Sequence, residues 1–290
     1  MKLVITLLVL APVYGFTMTT TYQTLTPHEG QSDFRLGVGY RSVNAETKSG
    51  GKTDATGPSI PVTYYYGLTE NHSLGGEISY SSLNQDYKDS TTSLNAKSYG
   101  MEDVFFGYKG NFEVGTPTLF IRGGLKIPPE KSRRNWDNNE SNTSTGQMAF
   151  IGSLGMTSAF STFNVGFLGL YSANQNGDGE VTSSGKTYSG KITGGSSYQF
   201  SAYGEIQNIY HPNVSLDYAR SFTSTFTSDS GMVGTTLTGN ELIRGTFSLR
   251  YEMTPGFEIV PVLAYTTILK KDDFSKYNYF LTGVEARLVF

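Results

Sequence analysis

Apolar and polar residues alternate with a period of two along most of the chain, the pattern of strands that present one apolar face. It is plainest over residues 277–290. There Phe280, Thr282, Val284, Ala286, Leu288 and Phe290 share one face, and Tyr279, Leu281, Gly283, Glu285, Arg287 and Val289 the other. Toward the other end, Phe34, Leu36, Val38 and Tyr40 form an apolar row opposite Arg35 and Arg41. Ile60, Val62, Tyr64 and Tyr66 make a second row, and Leu74, Ile78 and Tyr80 a third with Glu77 opposite. The same parity runs through 104–108, 119–127 (Arg122 and Lys126 opposite), 150–156 and 163–171. It continues through 198–206 (Glu205 opposite), 214–218 (Asp217 opposite), 243–253 (Arg244, Arg250 and Glu252 opposite) and 257–265 (Glu258 opposite). About twelve strands are predicted.

The connections sharpen this reading. "TENHS", "GNFEVGTP", "SAFST", "NIYHPN" and "TPG" are compact turns. Interleaved with them are the polar stretches "NAETKSGGKTDATG", "LNQDYKDSTTSLNAK", "PPEKSRRNWDNNESNTSTG", "NQNGDGEVTSSGKTYSGKITGGSS", "TSDSGMVGTTLTGN" and "KKDDFSK". A soluble sandwich has no reason to alternate short and long connections. An outer-membrane barrel has one, because its periplasmic turns are short and its external loops long. The fold expected is all-β, a transmembrane antiparallel up-and-down β-barrel in the bacterial outer membrane. A barrel has no edge, so its last strand must pair with its first, which sets the Phe290 row against lipid and Glu285 and Arg287 in the lumen. Bulges or local disorder are expected at Pro61 and Pro261, which cannot donate to a ladder, and a bulge near Phe222 would repair the parity that slips at Arg220.

Composition agrees with export. Only 16% of the 290 residues are charged, and Gly (34), Tyr (20) and Phe (18) are abundant. A net charge of −3 argues against a nucleic-acid partner, which would require a basic face. The absence of cysteine excludes a disulfide framework and a thiolate metal site. "MKLVITLLVLAPVYG" reads as a signal peptide over residues 1–15. No later apolar run is long enough for a membrane helix. Residues 16–32 are then a periplasmic or plug-like segment, and 33–290 the barrel.

Two resemblances add to this. The ending at Phe290, with Leu288, Val284 and Phe280 at alternate positions, resembles the C-terminal assembly signal of Gram-negative outer-membrane proteins. That resemblance implies the barrel-assembly machinery as a partner. Leu288 stands where that family often has Tyr. The stretch "YYYGLTENHSLGGEISYS", with its Gly67-Leu68-Thr69-Glu70 turn, is similar to the transporter-like outer-membrane family associated with phenol-degradation meta-pathways. "LKIPPE…STGQMAFIGSLGMTSAF" is similar to the same family. The resemblance implies a channel or transporter for small molecules.

Chemistry is sparse. Of the three histidines, His28 precedes the first strand, and His72 and His211 fall in short turns, so a catalytic Ser–His or Asp–His set at the outer rim has no base. Asp137, Glu140 and Asp178 read as solvated loop carboxylates. Asn174, Asn176, Asp178 and Gly179 match the start of a calcium loop, but its twelfth position is Gly185 rather than Glu. No metal or other cofactor is expected. Lys131, Arg133 and Arg134 sit in one polar loop, placed to meet lipopolysaccharide phosphates or a solute at the mouth. The candidate lumen or constriction residues are Arg35, Arg41, Glu77, Arg122, Lys126, Glu205, Asp217, Arg244, Arg250, Glu252, Glu285 and Arg287. Both signs are present, unlike the lining of an ion-selective pore. The function expected is a non-enzymatic channel or transporter for passive movement of small solutes. The rival is a closed barrel whose loops bind lipopolysaccharide or other external partners.

Overall fold

The computed structural model describes residues 25–48, 50–91, 93–113, 117–231, 234–237, 239–270 and 274–290. The leader over 1–15, and 16–24 of the segment predicted to follow it, lie outside the described residues.

Twenty strands are present and no helix among the described residues. In chain order they are β1 (Ser32–Thr47), β2 (Lys52–Thr69), β3 (His72–Lys88), β4 (Ser93–Met101), β5 (Val104–Glu113), β6 (Thr118–Ile127) and β7 (Ser132–Asn135). Then come β8 (Glu140–Asn142), β9 (Ala149–Ala159), β10 (Phe163–Asn174), β11 (Gly177–Ser183), β12 (Lys186–Gly194), β13 (Ser197–Ile206) and β14 (Asn213–Ser221). The last six are β15 (Ser224–Ser228), β16 (Gly234–Leu237), β17 (Glu241–Ser248), β18 (Tyr251–Thr254), β19 (Phe257–Lys270) and β20 (Phe274–Val289).

Twelve of them close a ring of antiparallel pairs: β1–β2–β3–β5–β6–β9–β10–β13–β14–β17–β19–β20 and back to β1. The closing seam pairs β1 with β20 from Asp33↔Val289 to Thr47↔Phe274. Closure satisfies every wall strand on both sides, which an apolar solvent demands. The terminal alternation holds. Phe290, Leu288, Val284 and Phe280 are exposed on the outer face, while Arg287, Glu285 and Leu281 are buried inside. Leu36, Val38, Phe106, Leu154, Phe167, Phe200, Leu216 and Leu263 continue the outward belt around the ring. Exposed Tyr40, Tyr80, Tyr171 and Tyr265 rim it at the loop end, and Phe112, Phe163, Tyr251 and Phe290 at the turn end. Such paired aromatic girdles mark the two interfaces of a membrane-spanning barrel, whose turn end is periplasmic.

The long polar connections are largely strand rather than loop. β1, β2 and β3 run on beyond the belt, because a strand with water on its outer face needs alternation but no apolar row. Above β5 the wall changes neighbours. β3 pairs with β4, β4 runs parallel to β8, β8 pairs with β7, and β7 runs parallel to β11. β12, β15 and β16 continue the sheet. β6 stops at Ile127 because Pro128 and Pro129 follow, and neither can donate to a ladder. The hairpin β7–β8 therefore fills the wall above β6 and β9.

The expected proline bulges are absent. Across Pro61 the register runs from Leu36↔Val62 to Gly39↔Ser59 without a shift. Pro61 is buried inside, and Gly37 opposite makes room for its ring: a Cβ on Gly37 would lie 2.7 Å from the Pro61 Cγ. Pro261 likewise keeps register, pairing with Val284, and faces the point where β17 has ended. No bulge repairs Arg220 either. Its outward side chain lies at the loop end of β14, 3.5 Å from Glu241 and over the Phe222 ring, where a charge reaches the interface.

Phe290 belongs to both the outward belt and the seam, its backbone N–H donating to the Ser32 carbonyl at 3.0 Å. Deleting Phe290 should therefore lower the yield of inserted, heat-modifiable barrel on gels. Unchanged assembly would show that this terminal pairing is dispensable.

Candidate functional site: the barrel interior

Strand parity sends polar residues inward, and near the turn end they join into one chain of alternating charge. Asp33, fully buried, accepts from Arg35 Nε (3.0 Å) and Nη2 (2.5 Å) and from Arg287 Nε (3.1 Å) and Nη2 (3.2 Å). Two guanidiniums thus grip one carboxylate with two bonds each, the strongest ion-pair geometry available to Arg. Arg287 reaches Glu258 at 3.1 Å, Glu258 meets Arg250 at 3.7 Å, and Arg250 meets Glu205 at 3.0 Å and the His211 ring at 3.1 Å.

A second group faces it from β2, β3, β5 and β6. Arg122 pairs with Glu77 at 2.8 Å, and Tyr65 donates its hydroxyl to Glu77 at 2.9 Å. Lys109 Nζ lies 3.7 Å from the centre of the Tyr65 ring, and the Arg122 guanidinium 4.2 Å from that of Phe105. Lys109 Nζ and both carboxylate oxygens of Glu285 are buried without a hydrogen-bond partner among the described residues.

Higher up, Arg41 pairs with Glu102 at 3.0 Å, Arg244 with Asp217 at 2.9 Å, and Lys126 with Asp103 at 3.0 Å. Glu102 and Asp103 are adjacent in sequence yet both reach interior partners. Between Tyr80↔Met101 and Glu77↔Phe105 the chain carries three residues against two on β3, and this bulge turns both carboxylates inward. Asp103 also accepts from Thr145 N at 2.9 Å and Ser144 Oγ at 3.1 Å, tying the β6–β9 connection to the inner wall.

Above the charges lies an apolar row. Ala219, Leu242, Ile268, Tyr277, Val43, Ala45, Ala55, Leu83 and Tyr87 form one buried cluster contributed by seven consecutive wall strands, β14 through β3. Val260, Val262, Ala264 and Leu281 form a smaller one, against which Leu25 of the N-terminal segment packs.

Of the twelve candidate positions, eleven face the interior. Glu252 does not. β17 ends at Ser248, and Glu252 sits exposed in the short β18 turn, its carboxylate accepting from Gly256 N at 3.3 Å. Asp33, Glu102, Asp103 and Lys109 were missed. Parity with Arg35 and Phe105 marks Asp33 and Lys109, whereas a bulge that turns adjacent carboxylates inward leaves no periodic trace. All three histidines lie toward the turn end: His28 against Glu70, His72 against Tyr108, and His211 against Arg250. The calcium-like stretch runs from the last residue of β10 through β11 to the β11–β12 turn, where Ser184 and Gly185 are in positive φ. Asp178 there is held below its usual pKa by the hydrogen bond from Lys191. Asp137 accepts from Ser184 N and Gly185 N, 2.7 Å each.

No family model and no curated protein sequence matches the chain. Its fold does match solved structures. An outer membrane channel from Pseudomonas putida F1 superposes at a TM-score of 0.68 with 13% identity, over 94% of this chain and 100% of that one. This chain has the fold of an outer membrane channel. The Pseudomonas putida toluene transporter TodX superposes at a TM-score of 0.52 with 10% identity, over 97% of this chain and 92% of that one. At these identities the likeness is one of fold.

Because Asp33 is the shared acceptor of Arg35 and Arg287, Asp33→Asn should destabilise the barrel by about 3 kcal/mol, the scale of breaking a buried pair. Urea-driven unfolding in lipid vesicles measures it. A loss under about 0.5 kcal/mol, that of an exposed pair, would contradict the assignment.

Proposed function

We propose that the protein is a passive outer-membrane channel for small solutes, without enzymatic activity, and that neutral apolar molecules are its preferred cargo. The observation that carries the cargo is the apolar row on seven consecutive inner strands above charges that pair with one another. A hydrated ion must shed water to cross such a row, and the compensated charges beneath offer it no net attraction. An uncharged ring or short alkyl chain pays no such penalty. The fold shared with a channel and a toluene transporter agrees with this reading. Outer-membrane lipid and lipopolysaccharide would surround the outward belt, and the barrel-assembly machinery would receive the terminal strand.

The row can be tested directly. In proteoliposomes, Leu242→Asp should cut the flux of a neutral aromatic about tenfold, the effect of roughly 1.4 kcal/mol, and raise ionic conductance in planar bilayers. Conductance and flux both equal to those of the unaltered protein would remove the row as the selective element. No flux of any solute through the folded barrel would favour the closed, surface-binding alternative.

A further inference from the structure

The upper tier holds a charge that the lumen does not use. Arg134 lies on β7, and its place can be followed strand by strand from the inner wall. Leu83 faces inward on β3 and pairs with Ser98, Ser98 with Ser141, Ser141 with Arg134, and Arg134 with Val181. The Arg134 side chain is therefore on the lumen side of the wall, in the external vestibule.

Among the described residues it has no hydrogen-bond or ion-pair partner, and its Nη1 is fully enclosed. The carboxylates nearby are engaged elsewhere: Glu180 by Lys131 at 3.2 Å and Arg133 at 3.9 Å, and Glu130 by Arg133 at 3.7 Å. Arg134 borders a cavity of about 20 Å³ together with Thr235, whose buried hydroxyl also has no partner among the described residues. That is room for one oxygen-sized group beside two donors. The rest of the lining is Ser132, Gly179, Glu180 and Ser224 together with the apolar Val181, Ile192 and Phe226, against which Trp136 packs.

We propose that the external vestibule carries a binding site for an organic monocarboxylate with an apolar body, its head group held by Arg134 and Thr235 and its body set against Trp136 and Phe226. A guanidinium with one enclosed nitrogen and no counter-charge is costly, and a carboxylate relieves that cost by a charge-assisted bond. Burial draws the Arg134 pKa down to about 10, which leaves it charged at neutral pH. Bare phosphate gains the charge interaction but nothing from the apolar lining. The neutral amide of the same acid gains the lining but not the charge. The site is independent of whether such an acid then crosses the lumen.

Trp136 is the only tryptophan in the chain, so its emission reports on this pocket alone. The full-length protein, folded in detergent, is titrated with cyclohexanecarboxylate, cyclohexanecarboxamide and inorganic phosphate, exciting Trp136 at its red edge. A saturable shift with the carboxylate is expected, at least about tenfold weaker with the amide, with phosphate and in Arg134→Gln. Thr235→Val removes the second donor without touching the charge and should weaken binding several-fold, which tests the site even where Arg134→Gln fails to fold. Heat-modifiable migration verifies folding of each variant. Equal responses to acid and amide, tighter binding of phosphate, or binding unchanged in a folded variant would each overturn the proposal. Conductance plays no part in the readout, so a failed channel reading leaves this test intact.

Discussion

The seam between β1 and β20 is the contact on which the rest depends. Until those two strands pair, each exposes a row of peptide groups to hydrocarbon, at several kcal/mol for every group left unsatisfied. The side chains reinforce the same joint. Asp33 on β1 binds Arg287 on β20 within the ring, and the pair reaches onward through Glu258 to Arg250 and Glu205. Closure and the interior charge chain are thus one construction, in which the residues that fasten the barrel also line it.

From closure the rest of the wall follows by parity. Once one face must meet lipid, each strand's other face receives whatever polar side chains the sequence carries, and those must find partners away from bulk water. This is why the arrangement was legible in advance. The positions of Arg35, Glu77, Arg122, Glu205 and Glu285 follow from counting by twos from their apolar neighbours, and the twelve-strand ring follows from the same count joined to turn spacing. Which charges pair is another matter. Asp33 with Arg287 spans nearly the whole chain, and partners so remote are set by ring closure rather than by local pattern.

What the sequence hid has a common cause, the places where counting by twos breaks or ceases to matter. The bulge at Glu102 and Asp103 brings two successive side chains to one face. Glu252 belongs to an apparent continuation of β17, but the strand has already ended. Pro61 looks like a defect until Gly37 is seen across from it. Beyond the membrane, polar residues stand on both faces, so the polar stretches read as loops although they fold as strands. The surroundings of Arg134 were invisible for a related reason: its neighbours come from β7, β11, β12, β15 and β16, which only the assembled upper tier brings together.

The parallel pairings of that tier carry a consequence for the order of events. β8 needs β4 from earlier in the chain, and β7 needs β11 from later, so the hairpin between them cannot dock until both flanking walls stand. Contacts of such sequence separation pay their loop-closure entropy first and are rewarded late. The hairpin therefore docks only after β4 and β11 are in place. Substitutions confined to the β7–β8 hairpin leave the twelve-strand ring's own pairings unaltered, because β7 and β8 pair only with β4, β11 and each other.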